Sequence, residues 1–309
     1  MRINPVLATT AELSIDQIGD GSPVSEAVYW EQYYEMPDHN YEWNNGILEE
    51  KPMPDYQNVV LYRWFLALLE AFLYSQPVAK LVNLEMGFRL KLPHKTTIRK
   101  PDLFIVRNDN PVPLLDNDRS FRGICDLAVE SISDETRKGI ERDTKVKKGE
   151  YELVGVHEYY ILDALGTHTT FYRRTPKGNY MPIAPTADGV LRSEVLPGFQ
   201  FRLEDIKRQP TLFQLAEDPV YREFVLLEYQ AAKERAELER VLASQERKRA
   251  EEERMRASEA RAQATAERIR AEEAQAKAAA ERTRAERYAA KLRALGIDPD
   301  NLDPDSEDQ

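Results

Sequence analysis

The chain has 309 residues, 42% of them hydrophobic and 31% charged, with a formal net charge of −11, and a chain of this length forms two domains or one of about 200 residues carrying an extension. The single cysteine, Cys125, excludes disulfides and thiolate metal centres, points to a reducing cytoplasm, and lies in an apolar run where core filling is its expected role. Ala231–Leu295 carries 17 Lys and Arg against 13 Asp and Glu, and Gly296–Gln309 six acids without a base; residues 1–230 are left at −9, without the bulk basic footprint on which non-specific duplex binding rests.

Residues 1–27 lack periodicity and read as a loose arm, with no basic segment followed by an apolar run of the secretory kind. SEAVYWEQYYEMP predicts a short amphipathic helix with Val28, Tyr29, Tyr33 and Tyr34 near one face. Tyr41–Lys51 predicts a β-hairpin, because Asn45-Gly46 suits a type I′ turn between two extended runs, and Pro52 and Pro54 end it. Gln57–Tyr74 follows as a buried helix. Arg63 and Glu70 interrupt its apolar run, which is shorter than the ~20 residues of a membrane span, so no membrane partner is expected.

Val82–Leu92 alternates apolar and polar residues as one strand with a wet face, Pro93 stops it, and a basic turn, HKTTIRK, leads to Pro101. Leu103–Val106 and Cys125–Val129 are short apolar runs that fit strands covered on both faces, joined by a Pro- and Asp-rich loop over Arg107–Arg122. Strong helix formers span roughly Glu135–Val154 with Gly155 as the C-terminal stop, and Glu158–Leu162 is a third apolar strand. Strand, strand, helix, strand implies a central sheet with a crossover helix. Thr169–Arg174 and Asn179–Ile183 predict a hairpin turning at Lys177-Gly178, and Gly198–Ile206 closes a globular region over residues 28–207.

Residues 208–295 read as a long charged helix, since neither Gly nor Pro occurs between Val220 and Leu295. Seven-residue steps through Val241, Met255 and Ile269 trace one seam, but its companion holds Gln245, Glu252, Glu259 and Glu273, too polar for a tight coiled coil. The pattern predicts a solvated helix held by Glu–Arg pairs four apart, with weak lateral association that leaves a homodimer open. Residues 296–309 form an acidic tail whose composition predicts disorder.

Chemistry concentrates in Arg99–Asp163. Two carboxylates, Asp102 at the mouth of one apolar strand and Glu130 at the end of the next, suffice to hold a hard divalent cation that keeps several waters, and adjacent pairing of the strands would bring them together. Singly, each also reads as an ordinary acid at a strand end, and Pro-Asp occurs five times in the chain. Asp143, Lys147 and Tyr151 recur every four residues on one helix face, a spacing equally suited to a surface ion pair. The four histidines show no metal spacing, and no P-loop, GxGxxG or nucleophile elbow is present.

The ordered stretches YEWNNGILEEKPM, RKPDLFIV, DLAVESIS and RDTKVKKGEYELVGVHEYYILD, spanning about Tyr41–Asp163, resemble the Uma family of putative restriction endonucleases within the PD-(D/E)XK nuclease superfamily, and ERYAAKLRALGIDPD resembles helical extensions of some relatives. The resemblance implies an α/β fold with a restriction-endonuclease-like mixed central sheet flanked by helices, and a Mg²⁺- or Mn²⁺-dependent endonuclease acting on DNA. It makes Asp102 and Glu130 the metal-binding acids, Glu42 an auxiliary acid, and Lys147 the catalytic lysine, delivered by the helix because Ile132 stands in the usual lysine slot. A family histidine is replaced by Gln57 or Asn58. The competing reading is a nuclease-like binding or assembly module, inactive as an enzyme, whose working part is the long helix.

Overall fold

The computed structural model describes residues 19–132, 136–296 and 298–299, and the chain divides into two units, Met1–Ala231 and Ala232–Gln309. In the first unit β3 (Ala79–Val82), β6 (Leu103–Arg107), β7 (Leu127–Ser131), β8 (Glu158–Leu162), β9 (Thr170–Arg174) and β10 (Tyr180–Pro182) make a six-stranded sheet ordered β10-β9-β8-β7-β6-β3. It is mixed: β7 and β8 are parallel and the other pairs antiparallel. The expected α/β class and mixed central sheet are therefore present.

Successive residues of the central strands are buried on opposite faces, which is why these runs are apolar without alternation. Leu103, Ile105, Leu127 and Val129 enter a core with α2 (Tyr56–Ser75), whose Leu61, Phe65, Leu68, Leu69 and Phe72 form a helical stripe. Phe104, Val106 and Ala128 enter a second core on the other face, with Cys125, Ile132 and Tyr151. Asp55 caps α2 by accepting from the Asn58 N–H. The crossover between β7 and β8 contains α3 (Arg137–Glu141), a wider π-helical turn at Arg142–Lys147 and α4 (Lys148–Val154). Gly155, at φ 96°, ends it in the left-handed conformation, as expected from its place in sequence.

A second, antiparallel sheet is formed by β2 (Ile47–Glu50), β1 (Tyr41–Asn44), β5 (Thr96–Arg99) and β4 (Phe88–Lys91), in that order. The predicted hairpin is β1 (Tyr41–Asn44) and β2 (Ile47–Glu50), with positive φ at Asn45 and Gly46. The predicted helix near Tyr29 is α1 (Glu26–Val28) continued by a π turn over Tyr29–Tyr33. Residues 1–18 of the expected loose arm lie outside the described residues. The segment after them is tied to the hairpin: Val24 N–H donates to Gly46 C=O at 2.7 Å and Leu48 N–H to Ser22 C=O at 3.0 Å.

Several expected boundaries move. The single strand over Val82–Leu92 is two, β3 and β4 (Phe88–Lys91), in different sheets, because Leu84 and Glu85 take positive φ and break it. Most of the basic turn HKTTIRK is β5 (Thr96–Arg99), paired on both sides. The globular unit also runs past residue 207: after the hairpin β11 (Val190–Arg192) and β12 (Gln200–Arg202) come α5 (Leu203–Arg208) and α6 (Leu212–Leu215), and Leu215, Tyr221, Phe224 and Val225 are buried in the α2 core. The long helix, α7, spans Leu227–Ala294, with 68 residues of which none is buried. Val241, Met255 and Ile269 of the expected seam are exposed. Apart from the 298–299 pair, the acidic tail beyond Gly296 lies outside the described residues.

Candidate active site

Strand register places the two acids. Antiparallel pairing of Leu103 with Val129 sets Asp102, just before β6, beside Glu130 on β7. The Asp102 carboxylate accepts from Ser131 N–H at 2.6 Å through Oδ2 and from the Lys51 ammonium at 2.9 Å through Oδ1. Glu130 is buried; its Oε2 accepts from Lys147 Nζ at 3.0 Å and its Oε1 from the Tyr151 hydroxyl at 2.9 Å.

The helical crossover supplies both donors. Lys147 ends the π turn and Tyr151 lies one turn on in α4. Lys147 is also 3.2 Å from Glu42 Oε1 on β1 and 3.4 Å from Asp143 Oδ1. Glu42, Asp102, Glu130, Asp143, Lys147 and Tyr151, the six residues singled out in the sequence, thus converge on one region. Lys147 touches three of the carboxylates but not Asp102, whose ammonium partner is Lys51. Ile132 is core. Asn58, one of the two residues expected in place of the family histidine, is buried, and its amide oxygen accepts from Ala164 N–H at 3.1 Å; Gln57, the other, is exposed.

Sequence reasoning missed a second layer. Arg99 on β5 is fully buried, donating to Glu150 Oε2 at 2.6 Å and Oε1 at 2.9 Å, to Glu42 Oε2 at 3.0 Å, and to Glu49. Lys95 joins Glu150 at 2.5 Å and Arg142 joins Asp143 at 3.5 Å. Lys51, which only looked like the end of a hairpin, holds Asp102, Glu85 Oε2 at 2.8 Å and the Lys100 carbonyl at 2.8 Å. The one available signal was the density of acids and bases flanking the motifs, and that density does not say which pairs form.

Charge in the two networks is unbalanced. Around Lys147 and Arg99, five acids (Glu42, Glu49, Glu130, Asp143, Glu150) face four bases (Lys95, Arg99, Arg142, Lys147). Around Lys51, two acids face one base. Burial pushes the Glu130 carboxyl up, to about 8, and the charges of Asp102, Asp143 and Glu42 add to this against the opposing pull of Lys147. Glu42 moves the other way: burial alone would raise it, but Lys147 and Arg99 together hold it well below the usual carboxylate range. Lys147 is raised despite burial because Glu130, Glu42 and Asp143 surround it.

This arrangement fits a divalent cation. With every acid ionised the two networks meeting at Asp102 and Glu130 carry two negative charges in excess; protonation of Glu130 removes one of them, and a cation there would offset the repulsion from Asp102, Asp143 and Glu42 and take the place of that proton. Ser131, the residue after Glu130 on β7, has a buried hydroxyl without a hydrogen-bond partner. Beside Asp102 opens a cavity of about 290 Å³ lined by Lys51, Met53, Tyr62, Leu84, Asp102 and Ser131 among others, with Glu130 buried behind it. Among the described residues no group of three or more His, Cys, Asp or Glu could hold a metal ion. Two carboxylates suit a hard cation that keeps several waters better than one needing an all-protein cage. No described helix is long and apolar enough to cross a membrane.

Comparison with known proteins bears on the same region. Residues 30–204 match the model of a family, Uma2, described as a putative restriction endonuclease. No curated protein matches. A solved structure with a similar chain is that of a putative nuclease belonging to DUF820 from Anabaena variabilis, 14% identical, covering 60% of this chain and 99% of its own at a TM-score of 0.46.

Proposed function

Given that the chain belongs to the Uma2 family, we propose that it is a metal-dependent endonuclease that hydrolyses DNA phosphodiesters at Asp102 and Glu130. The observation that carries this reading is the register that sets these acids side by side, with Lys147 and Tyr151 both bonded to Glu130. Asp102 and Glu130 would hold Mg²⁺ or Mn²⁺, which when bound supplies Lewis acidity toward the phosphate and toward an attacking water.

The protein's own groups have separable tasks. Ser131 N–H fixes one oxygen of Asp102, leaving lone pairs on the carboxylate for a ligand. Tyr151 and Lys147 hold Glu130 in place from the helix side, so that a cation arriving there would displace the proton of a carboxyl already positioned. Lys147 is 1% exposed in its side chain, donates to Glu130 and is ion-paired with Glu42 and Asp143, a position from which it orients Glu130 and Glu42. The purified protein should nick supercoiled plasmid with Mg²⁺ or Mn²⁺, and Asp102→Ala should remove the activity. Equal nicking by both proteins would end this assignment.

The 68-residue α7, without a buried residue, favours a second reading in which the domain is an assembly module working through the helix. Titration calorimetry separates the two: the enzyme reading requires Mn²⁺ binding that Glu130→Gln abolishes, and the module reading requires none.

A further inference from the structure

We propose that Lys51, rather than Lys147, is the cation that meets the substrate phosphate, and that Glu85 is an exposed carboxylate standing where that phosphate docks. The inference deepens the nuclease reading and rests on it. Both lysines lie beside the paired acids, but their surroundings differ. Lys147 is sealed: its ammonium donates to Glu130 on β7 and lies 3.2 Å from Glu42 on β1 and 3.4 Å from Asp143 in the π turn. Lys51 has an 8% exposed side chain and lines the cavity that Asp102, Glu85 and Ser131 also line.

The partners of Lys51 are unequal. The Lys100 carbonyl is backbone of the segment that carries Asp102, and Asp102 itself belongs to the acid pair. Glu85 is 44% exposed and its ion pair with Lys51 is 2.8 Å long. Leu84 and Glu85 both take left-handed backbone, φ 55° and 67°, a conformation that L side chains rarely adopt and that surrounding structure must hold in place. The strained turn delivers one anionic group to the ammonium at the mouth of the cavity. A phosphate oxygen can replace that carboxylate anion for anion, leaving Lys51 anchored by Asp102 and the carbonyl, whereas Lys147 could reach a phosphate only by giving up a buried carboxylate.

The test uses a fluorescent DNA oligonucleotide in EDTA, with anisotropy read across a salt series, followed by plasmid nicking with Mn²⁺. Lys51→Met should weaken metal-free binding about tenfold, the worth of one charge-assisted bond, and flatten the slope of log affinity against log salt by about 0.9, the loss of one duplex phosphate contact. Lys51→Arg should keep the slope, and Glu85→Gln, an exposed change that spares the fold, should bind tighter than wild type. Wild-type slope and nicking rate in Lys51→Met, with unchanged affinity in Glu85→Gln, would overturn the proposal while leaving the nuclease standing. A wild type that neither binds nor nicks DNA would overturn the nuclease reading and this inference with it.

Discussion

Glu130→Gln should make the metal-free protein more stable while removing its activity. The Glu130 carboxyl, ordinarily near 4.5, is held protonated up to about 8 by burial and by Asp102, Asp143 and Glu42. At pH 7 folding must therefore take up a proton, at about 3 kcal/mol from the interval between 4.5 and 7. Glutamine is already neutral. It forfeits part of the bonding to Lys147 and Tyr151, about 1 kcal/mol, while Lys147 keeps Glu42 and Asp143 as partners. The net gain is about 2 kcal/mol, or about 4–8 °C in melting temperature for a domain of this size. Thermal unfolding of both proteins in EDTA from pH 5 to 8 measures it. A raised folded-state pKa gives stability that is complete below 4.5 and lost as pH climbs toward 8, so the advantage of the variant should be largest near pH 8 and shrink toward pH 5. A variant that melts below wild type at pH 7, or a gap independent of pH, would refute the picture of Glu130 as a buried acid short of a counter-charge.

Arg99→Met should destabilise by about 3 kcal/mol, since it removes the one cation shared by Glu42, Glu49 and Glu150 and leaves only Lys147 against Glu42 and Lys95 against Glu150; urea denaturation with an unchanged m-value checks it, and a loss below 1 kcal/mol would show that those two lysines suffice. Gly155→Ala isolates a backbone effect. A Cβ there meets nothing within 4 Å, so the cost should be only that of the left-handed conformation at φ 96°, about 1–2 kcal/mol, with nicking unchanged.

The central strands were legible in sequence because burial on both faces leaves an uninterrupted apolar run, and Leu103–Val106 and Glu158–Leu162 need no tertiary information to be recognised. The break between β3 and β4 was hidden because Leu84 and Glu85 continue the apolar–polar alternation and differ only in backbone handedness. Arg99 made β5 look like a solvated turn. Its burial depends on acids from β1, β2 and α4, a property of the assembled fold that no local window contains. The site divides the same way: Asp102 and Glu130 follow from strand ends, Lys147 required the family resemblance, and Lys51 acquires meaning only once Glu85 and Asp102 are seen around it.

The wide π turn at Arg142–Lys147 acts as a phase setter for α4. The turn places Asp143 and Lys147 against β1 and β7, and it fixes the rotation at which Glu150 meets Arg99 and Tyr151 meets Glu130. Removing one residue from this stretch would turn everything after it by about 100°, swinging both side chains off their partners without altering a single one of them. The number of residues in the turn is thus as much a component of the site as the carboxylates it serves, and an insertion or deletion here would silence a chain whose acids and lysines are all in place.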